Sequence, residues 1–148
     1  LPIYYREKAI EFGNMVHHIL SYIKYPVDVQ KSLDKALRQG ILSKEFYDSV
    51  KYIVENIVNH PDLKEHFSTE AKVFNEQSII KIKNNTIKPD RVTIYKNKVT
   101  LIDYKTGQKN NQYIEQLKEY ELALIEMNYE VVKKTILYIG DKIEIVNL

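Results

Sequence analysis

The spacing of hydrophobic positions along the chain changes from helical to strand-like. Apolar residues in 4–24 recur every three or four positions, which predicts a first helix that Pro26 ends. The same spacing predicts two more helices, over residues 28–40 and 43–59. The chain is therefore predicted to begin with a mainly helical part.

After this helical part, the apolar period falls to two. One face of a predicted strand carries Phe74, Glu76, Ser78, Ile80 and Ile82, and Asn84 and Asn85 are predicted to form the turn that follows. Residues 90–95 and 98–105 flank a tight turn at Asn97 and predict a hairpin. Residues 111–127 then predict a helix capped by Asn111, and 135–146 predict two last strands. The order favours an α/β (α+β) fold with an N-terminal helical part.

Length and composition restrict the class of protein. The chain has 148 residues, enough for one domain with a buried core. It has no cysteine, which excludes disulfides, thiolate zinc sites, cysteine nucleophiles and cysteine-held iron–sulfur clusters. No apolar run approaches the roughly 20 residues that span a bilayer, and neither an initiator Met nor a signal-peptide pattern is present. We therefore expect a cytoplasmic fragment of a longer protein, without membrane contact.

Two acidic residues, Asp90 and Asp103, lie on the predicted hairpin. If Tyr95 pairs with Lys98, apolar residues meet across the two strands and Asp90 lies opposite Asp103. A shift of two residues would instead place Asp90 opposite Lys105. Both registers are open at this point.

Carboxylates at one end of a hairpin suit Mg²⁺, which prefers oxygen ligands. Lys105 projects on the same side as Asp103, where it could stabilise negative charge on a phosphate. This pattern indicates phosphodiester hydrolysis, and the ordinary alternative is a buried Asp–Lys ion pair. Residues 71–110 carry nine Lys or Arg and three acids, a net charge of +6. That charge fits either a phosphate-binding surface or lysines on a solvated strand face.

Four short motifs follow one another along the chain: Gly13 with His17 in GNMVHHIL, Pro89 with Asp90 in KPDRV, Asp103 to Gly107 in LIDYKTG, and Gln116 with Tyr120 in QLKEY. Together they resemble the PD-(D/E)XK nuclease superfamily, specifically its RecB and AddA branch. The resemblance implies one nuclease domain over 1–148, with a restriction-endonuclease-like core. In that fold a mixed central β-sheet is flanked by helices. The mainly helical part would cover 1–67, and the sheet with the active site 71–148.

The resemblance also implies a role for each motif residue. Asp90 and Asp103 would be catalytic metal ligands, and Lys105 would be the catalytic lysine. His17 and the main-chain carbonyl of Tyr104 would complete the ligands of Mg²⁺ or Mn²⁺. No iron–sulfur cluster is expected, because the cysteines that hold it in some relatives are missing.

Further residues are implied around this centre. Gln116 and Tyr120 lie one helical turn apart and would position substrate or the lysine. Gly13, four residues before His17, leaves room above that side chain. The family places a catalytic Glu on the strand before the PD element, which corresponds here to Pro89 and Asp90. Glu76 fits because it follows the alternation of side chains along the predicted strand, and Glu70 is the alternative.

The resemblance implies a Mg²⁺- or Mn²⁺-dependent deoxyribonuclease, an exonuclease acting in DNA repair and recombination. Its substrate would be single-stranded DNA, delivered by a UvrD-type helicase joined to the same chain. The sequence has no G-x-x-x-x-G-K-[ST] phosphate loop, so ATP hydrolysis is not expected from these residues. The alternative is a catalytically inactive nuclease-fold module that binds or guides DNA.

Overall fold

The computed structural model describes residues 3–80 and 86–148. Within them the α-helices are α1 (Ile3–Ser21), α2 (Val29–Arg38), α3 (Tyr47–Val58) and α4 (Asn111–Glu126). The strands are β1 (Lys72–Asn75), β2 (Ile79–Ile80), β3 (Thr86–Ile87), β4 (Arg91–Tyr95), β5 (Lys98–Thr106), β6 (Glu130–Ile139) and β7 (Ile143–Asn147). Short 3-10 helices at Pro26–Asp28 and Pro61–Phe67 precede α2 and β1. The predicted order of elements is confirmed at this level.

Five strands form one mixed sheet in the order β1-β4-β5-β6-β7. Adjacent strands of this sheet are antiparallel, except for β5 and β6, which are parallel and joined through α4. Tyr95 pairs with Lys98 and Val92 with Leu101, so the first of the two predicted registers is correct. Strands β2 and β3 form a separate two-stranded sheet. The protein is therefore an α+β domain with a central sheet flanked by helices.

Each face of the sheet is covered by a different set of helices. Helices α1, α2 and α3 bury their apolar stripes on the face that carries Ile102, Tyr104, Leu137 and Ile139. Helix α4 packs on the opposite face, against Val99, Leu101 and Ile136. Side chains alternate along a strand, so consecutive residues of β5 contact opposite layers. This alternation sends Asp103 and Lys105 to the α4 side and Tyr104 to the α1 side.

The predicted strand through Phe74 and Ile80 is wrong, because β1 ends at Asn75. Glu76 has a φ of 51°, in the left-handed region, and this conformation turns the chain out of the sheet. Ile80 instead belongs to β2. The predictions for Ile82, Asn84 and Asn85 concern residues outside the described ranges.

Smaller differences concern the helix ends. Asn110, not Asn111, caps α4, with its side chain accepting a hydrogen bond from the Gln112 amide at 2.9 Å. Met127, which follows the last turn of that helix, is 45% exposed. Among the described residues, no helix is long and apolar enough to cross a membrane.

Candidate metal centre and active site

The candidate site lies where the β4–β5 hairpin ends. The observed register brings Asp90, just before β4, next to Asp103 of β5. The Asp90 main-chain amide donates to Asp103 Oδ1 at 3.0 Å, and the Tyr104 amide donates to Asp90 Oδ2 at 2.8 Å. Main-chain N–H groups therefore orient both carboxylates.

Glu76 joins this pair through the backbone. Its main-chain amide donates to the Asp90 carbonyl at 2.9 Å, directly beyond the last paired residues of β1 and β4. The left-handed conformation of Glu76 allows this bond while the chain leaves the sheet. The Glu76 side chain is 38% exposed and lies at the rim of the site.

Helix α1 brings His17 to the same place by a close approach to β5. A Cβ on Gly13 would lie 2.1 Å from Thr106 Cγ2, so only glycine fits here without a shift of the neighbour. One helical turn later, the His17 ring packs edge-on against the Tyr104 ring, with centroids 5.4 Å apart. Gly13 and Tyr104 therefore set the height and the orientation of His17 above the sheet.

The His17 imidazole points at two carboxylates. Its Nε2 lies 3.1 Å from Glu76 Oε1 and 3.2 Å from Asp90 Oδ1. Nε2 is buried, and neither approach has hydrogen-bond geometry, so the atom has no hydrogen-bond partner in the part of the chain that the structure describes. A buried polar atom without a partner is costly. One nitrogen and two carboxylate oxygens, all within 4.8 Å of one another, form a group that could hold a divalent cation.

Electrostatics support the same assignment. The approach of Asp90 Oδ1 raises the pKa of His17 above 6.5; burial opposes this, and the charges of Asp90, Glu76 and Asp103 add to it. The pKa of Asp103 is raised by burial and then by the charge of Asp90. Both shifts reflect negative charge gathered in a small, partly buried space. A divalent cation would compensate that charge.

Lys105 lies on β5, two residues after Asp103, and its side chain faces α4. Its Nζ donates to Gln116 Oε1 at 2.9 Å and lies 3.6 Å from Asp103 Oδ2. The Tyr113 ring is also close, with its centroid 4.7 Å from Nζ. The pKa of Tyr120 is raised by burial and by the charges of Asp103 and Asp90. The first turns of α4 therefore hold the lysine beside the carboxylates.

The sequence-predicted residues thus converge, with some differences in detail. Glu76, expected as a catalytic residue but not as a metal ligand, is one of the three residues of the group that could hold a cation, whereas Asp103 is not one of them. Glu70 is exposed in a turn and is not one of them either. The role of the Tyr104 carbonyl stays a prediction.

The sequence analysis did not identify Tyr113, whose ring contacts Lys105, as part of the site. Its position three residues before Gln116, on the same helix face, is a signal that could have identified it.

The sequence was also compared with known proteins. No family model and no curated protein matches the chain.

Proposed function

We propose that the chain is a divalent-metal-dependent nuclease with a restriction-endonuclease-like core of the PD-(D/E)XK type. The observation that carries this proposal is the position of His17 Nε2, 3.1 Å from Glu76 Oε1 and 3.2 Å from Asp90 Oδ1, one strand away from the Lys105–Asp103 pair. An ordinary Asp–Lys ion pair would explain Lys105 and Asp103 but not the histidine.

The donor set fits a hard divalent cation. His17, Glu76 and Asp90 would hold Mg²⁺ or Mn²⁺, with Asp103 directly beside them. When bound, such an ion shields phosphate charge and lowers the pKa of a coordinated water. The absence of cysteine leaves no thiolate for an iron–sulfur cluster.

The remaining residues would act on a phosphodiester. Lys105, anchored by Gln116 Oε1, presents a positive ammonium that donates to a phosphate oxygen or orients the attacking water. Water would lose one proton to solvent as it adds to phosphorus, the P–O ester bond would break, and the leaving oxygen would take a proton from solvent.

The wider assignment is part of the same proposal. The substrate is DNA, single-stranded when it reaches the site, and the domain works as an exonuclease in end processing beside a UvrD-type helicase in the longer protein. The net charge of +6 in residues 71–110 supports a polyanionic substrate.

The test is a calorimetric titration with Mn²⁺ and Mg²⁺, followed by cleavage of linear and circular single-stranded DNA. Wild type is compared with Asp90→Ala and with Asp141→Asn, an exposed acid in the β6–β7 turn. We expect Asp90→Ala to lose binding and cleavage, and Asp141→Asn to keep both. Cleavage of the linear substrate alone supports an exonuclease.

Metal binding without cleavage of DNA or RNA would favour the inactive DNA-guiding module. Failure of the wild-type protein to bind either ion, even with DNA present, would exclude a metal-dependent nuclease.

A further inference from the structure

Arg91, the residue after Asp90, is the most unusual buried side chain near the site. It is 0% exposed and is among the largest fully buried side chains of the described residues. Burial of a charge is unfavourable unless every donor finds an acceptor. Its guanidinium stacks on Phe67, 4.1 Å from the ring centroid.

The acceptors of this guanidinium are main-chain carbonyls and one side-chain amide. Arg91 donates to the carbonyls of His66 at 2.7 Å and of Ile23 at 2.6 Å, and also to the Lys24 carbonyl. A longer bond, of 3.3 Å, reaches Asn75 Oδ1. In the described part of the chain, no carboxylate lies within ion-pair distance of Arg91. The Arg91 side chain therefore neutralises no described acid; it holds three main-chain carbonyls in place.

These contacts join the three segments that carry the candidate ligands. Ile23 and Lys24 directly follow α1, the helix of His17. Asn75 directly precedes Glu76, and Asn75 Nδ2 donates to the same Ile23 carbonyl at 2.9 Å. Arg91 itself follows Asp90. The ligand-bearing segments are therefore cross-linked through one hydrogen-bonded group.

We propose that Arg91, with Asn75, is a positioning residue that holds the segments of His17, Glu76 and Asp90 at the mutual distances a metal ion requires. This inference rests on the proposed function for its metal, but the cross-link acts in the metal-free protein as well.

The chemistry of arginine explains why lysine would not serve. A guanidinium has five N–H donors in a rigid plane and can reach acceptors on several segments together. An ammonium has three donors on a flexible stem, so it leaves some of these carbonyls without a partner.

The experiment compares Arg91→Lys and Asn75→Ala with Leu124→Ala, a cavity variant on the buried face of α4 that is not among the described hydrogen-bond partners of Arg91 or Asn75. For each protein we would measure unfolding by denaturant, the Kd for Mn²⁺ of the folded protein, and amide hydrogen exchange in EDTA. Asn75→Ala removes one cross-link and keeps the buried charge satisfied by carbonyls, so it remains informative if Arg91→Lys does not fold.

We expect the Kd for Mn²⁺ to rise about tenfold or more in Arg91→Lys and by a smaller factor in Asn75→Ala, as for other residues that orient metal ligands. Exchange should accelerate selectively at residues 22–25 and 75–76. Leu124→Ala should lower stability without changing the Kd, because a merely structural loss does not alter the folded site.

The proposal is overturned if both variants keep the wild-type Kd and their exchange changes only as much as stability requires. If the wild-type protein binds no Mn²⁺, the proposed function fails, and exchange in EDTA alone decides whether the cross-link exists.

Discussion

The amide of Asp90 donates to the carboxylate of Asp103 at 3.0 Å. The two acids are therefore held side by side by the backbone, and no proton shared between their carboxylates is needed to keep them there. In each carboxylate, one oxygen accepts a hydrogen bond from a main-chain N–H group, and the other oxygen faces a different side chain. Asp90 Oδ1 lies near His17, and Asp103 Oδ2 lies near Lys105. The pair thus divides the site into a side that faces His17 and a side that faces Lys105.

This division predicts that Lys105→Ala separates metal binding from cleavage. The variant should keep the Kd for Mn²⁺ and lose cleavage by about 100-fold or more, the usual effect of removing a group that stabilises transition-state charge. Gln116→Ala should show a smaller loss, since it only frees the lysine. Calorimetry and single-turnover cleavage measure the two effects. Wild-type cleavage by Lys105→Ala would remove the lysine from the mechanism.

The contact of Gly13 with Thr106 predicts a rescue by a second substitution. Gly13→Ala should destabilise the protein by about 1–3 kcal/mol, the usual cost of overpacking, because its Cβ meets Thr106 Cγ2. Thr106→Ser deletes that methyl group, so the double variant should recover most of the loss. Denaturant unfolding of the four proteins gives the coupling energy. Independent, additive effects would show that the helix moves away from the strand instead.

The two candidate acids before the PD element can be distinguished by matched variants. Glu76→Gln should weaken Mn²⁺ binding, because Oε1 lies 3.1 Å from His17 Nε2. Glu70→Gln should leave the Kd unchanged, since Glu70 is exposed in a turn. Calorimetric titration of both variants checks this. The reverse result would restore Glu70 as the ligand.

His66 predicts a pH dependence of stability that does not involve titration of the candidate metal ligands. The residue is fully buried between Thr100 and Thr135, and burial lowers its pKa from 6.5 to about 3. Between about pH 6.5 and pH 3, His66 is therefore protonated in the unfolded chain and neutral in the folded protein. The contribution of neutral His66 to the free energy of unfolding is therefore complete above about pH 6.5 and decreases as the pH falls toward 3. At 1.36 kcal/mol per pKa unit, the loss from pH 7 to pH 5 is about 2 kcal/mol.

The control for this prediction is His66→Gln, which keeps a polar group between the two threonines and does not titrate. Denaturant unfolding of metal-free protein at the two pH values should give a smaller loss for the variant, with the difference assigned to His66. Equal losses in both proteins would show that carboxylates alone set the acid sensitivity.

The sequence by itself predicted the helices and the β4–β5 hairpin, and it left two registers of that hairpin open. The apolar spacing predicts the helices and the β4–β5 hairpin because each element must bury one face. The structure has the register that pairs Tyr95 with Lys98, which matches apolar residues with apolar ones across the two strands. Asp90, Asp103 and Lys105 were therefore placed together without knowledge of the fold.

Only the tertiary structure decided what surrounds them. Glu76 was predicted from the alternation of side chains along a strand, but β1 ends before it. The left-handed backbone conformation of Glu76 itself brings its side chain to the site. Arg91 reads in sequence as one more basic residue, yet packing buries it completely. Its partners lie 16 to 68 residues away along the chain, and only the docking of α1 and the 3-10 helix onto the sheet brings them into reach. Local patterns specify which face of an element is buried, but contacts between distant segments depend on how the layers pack.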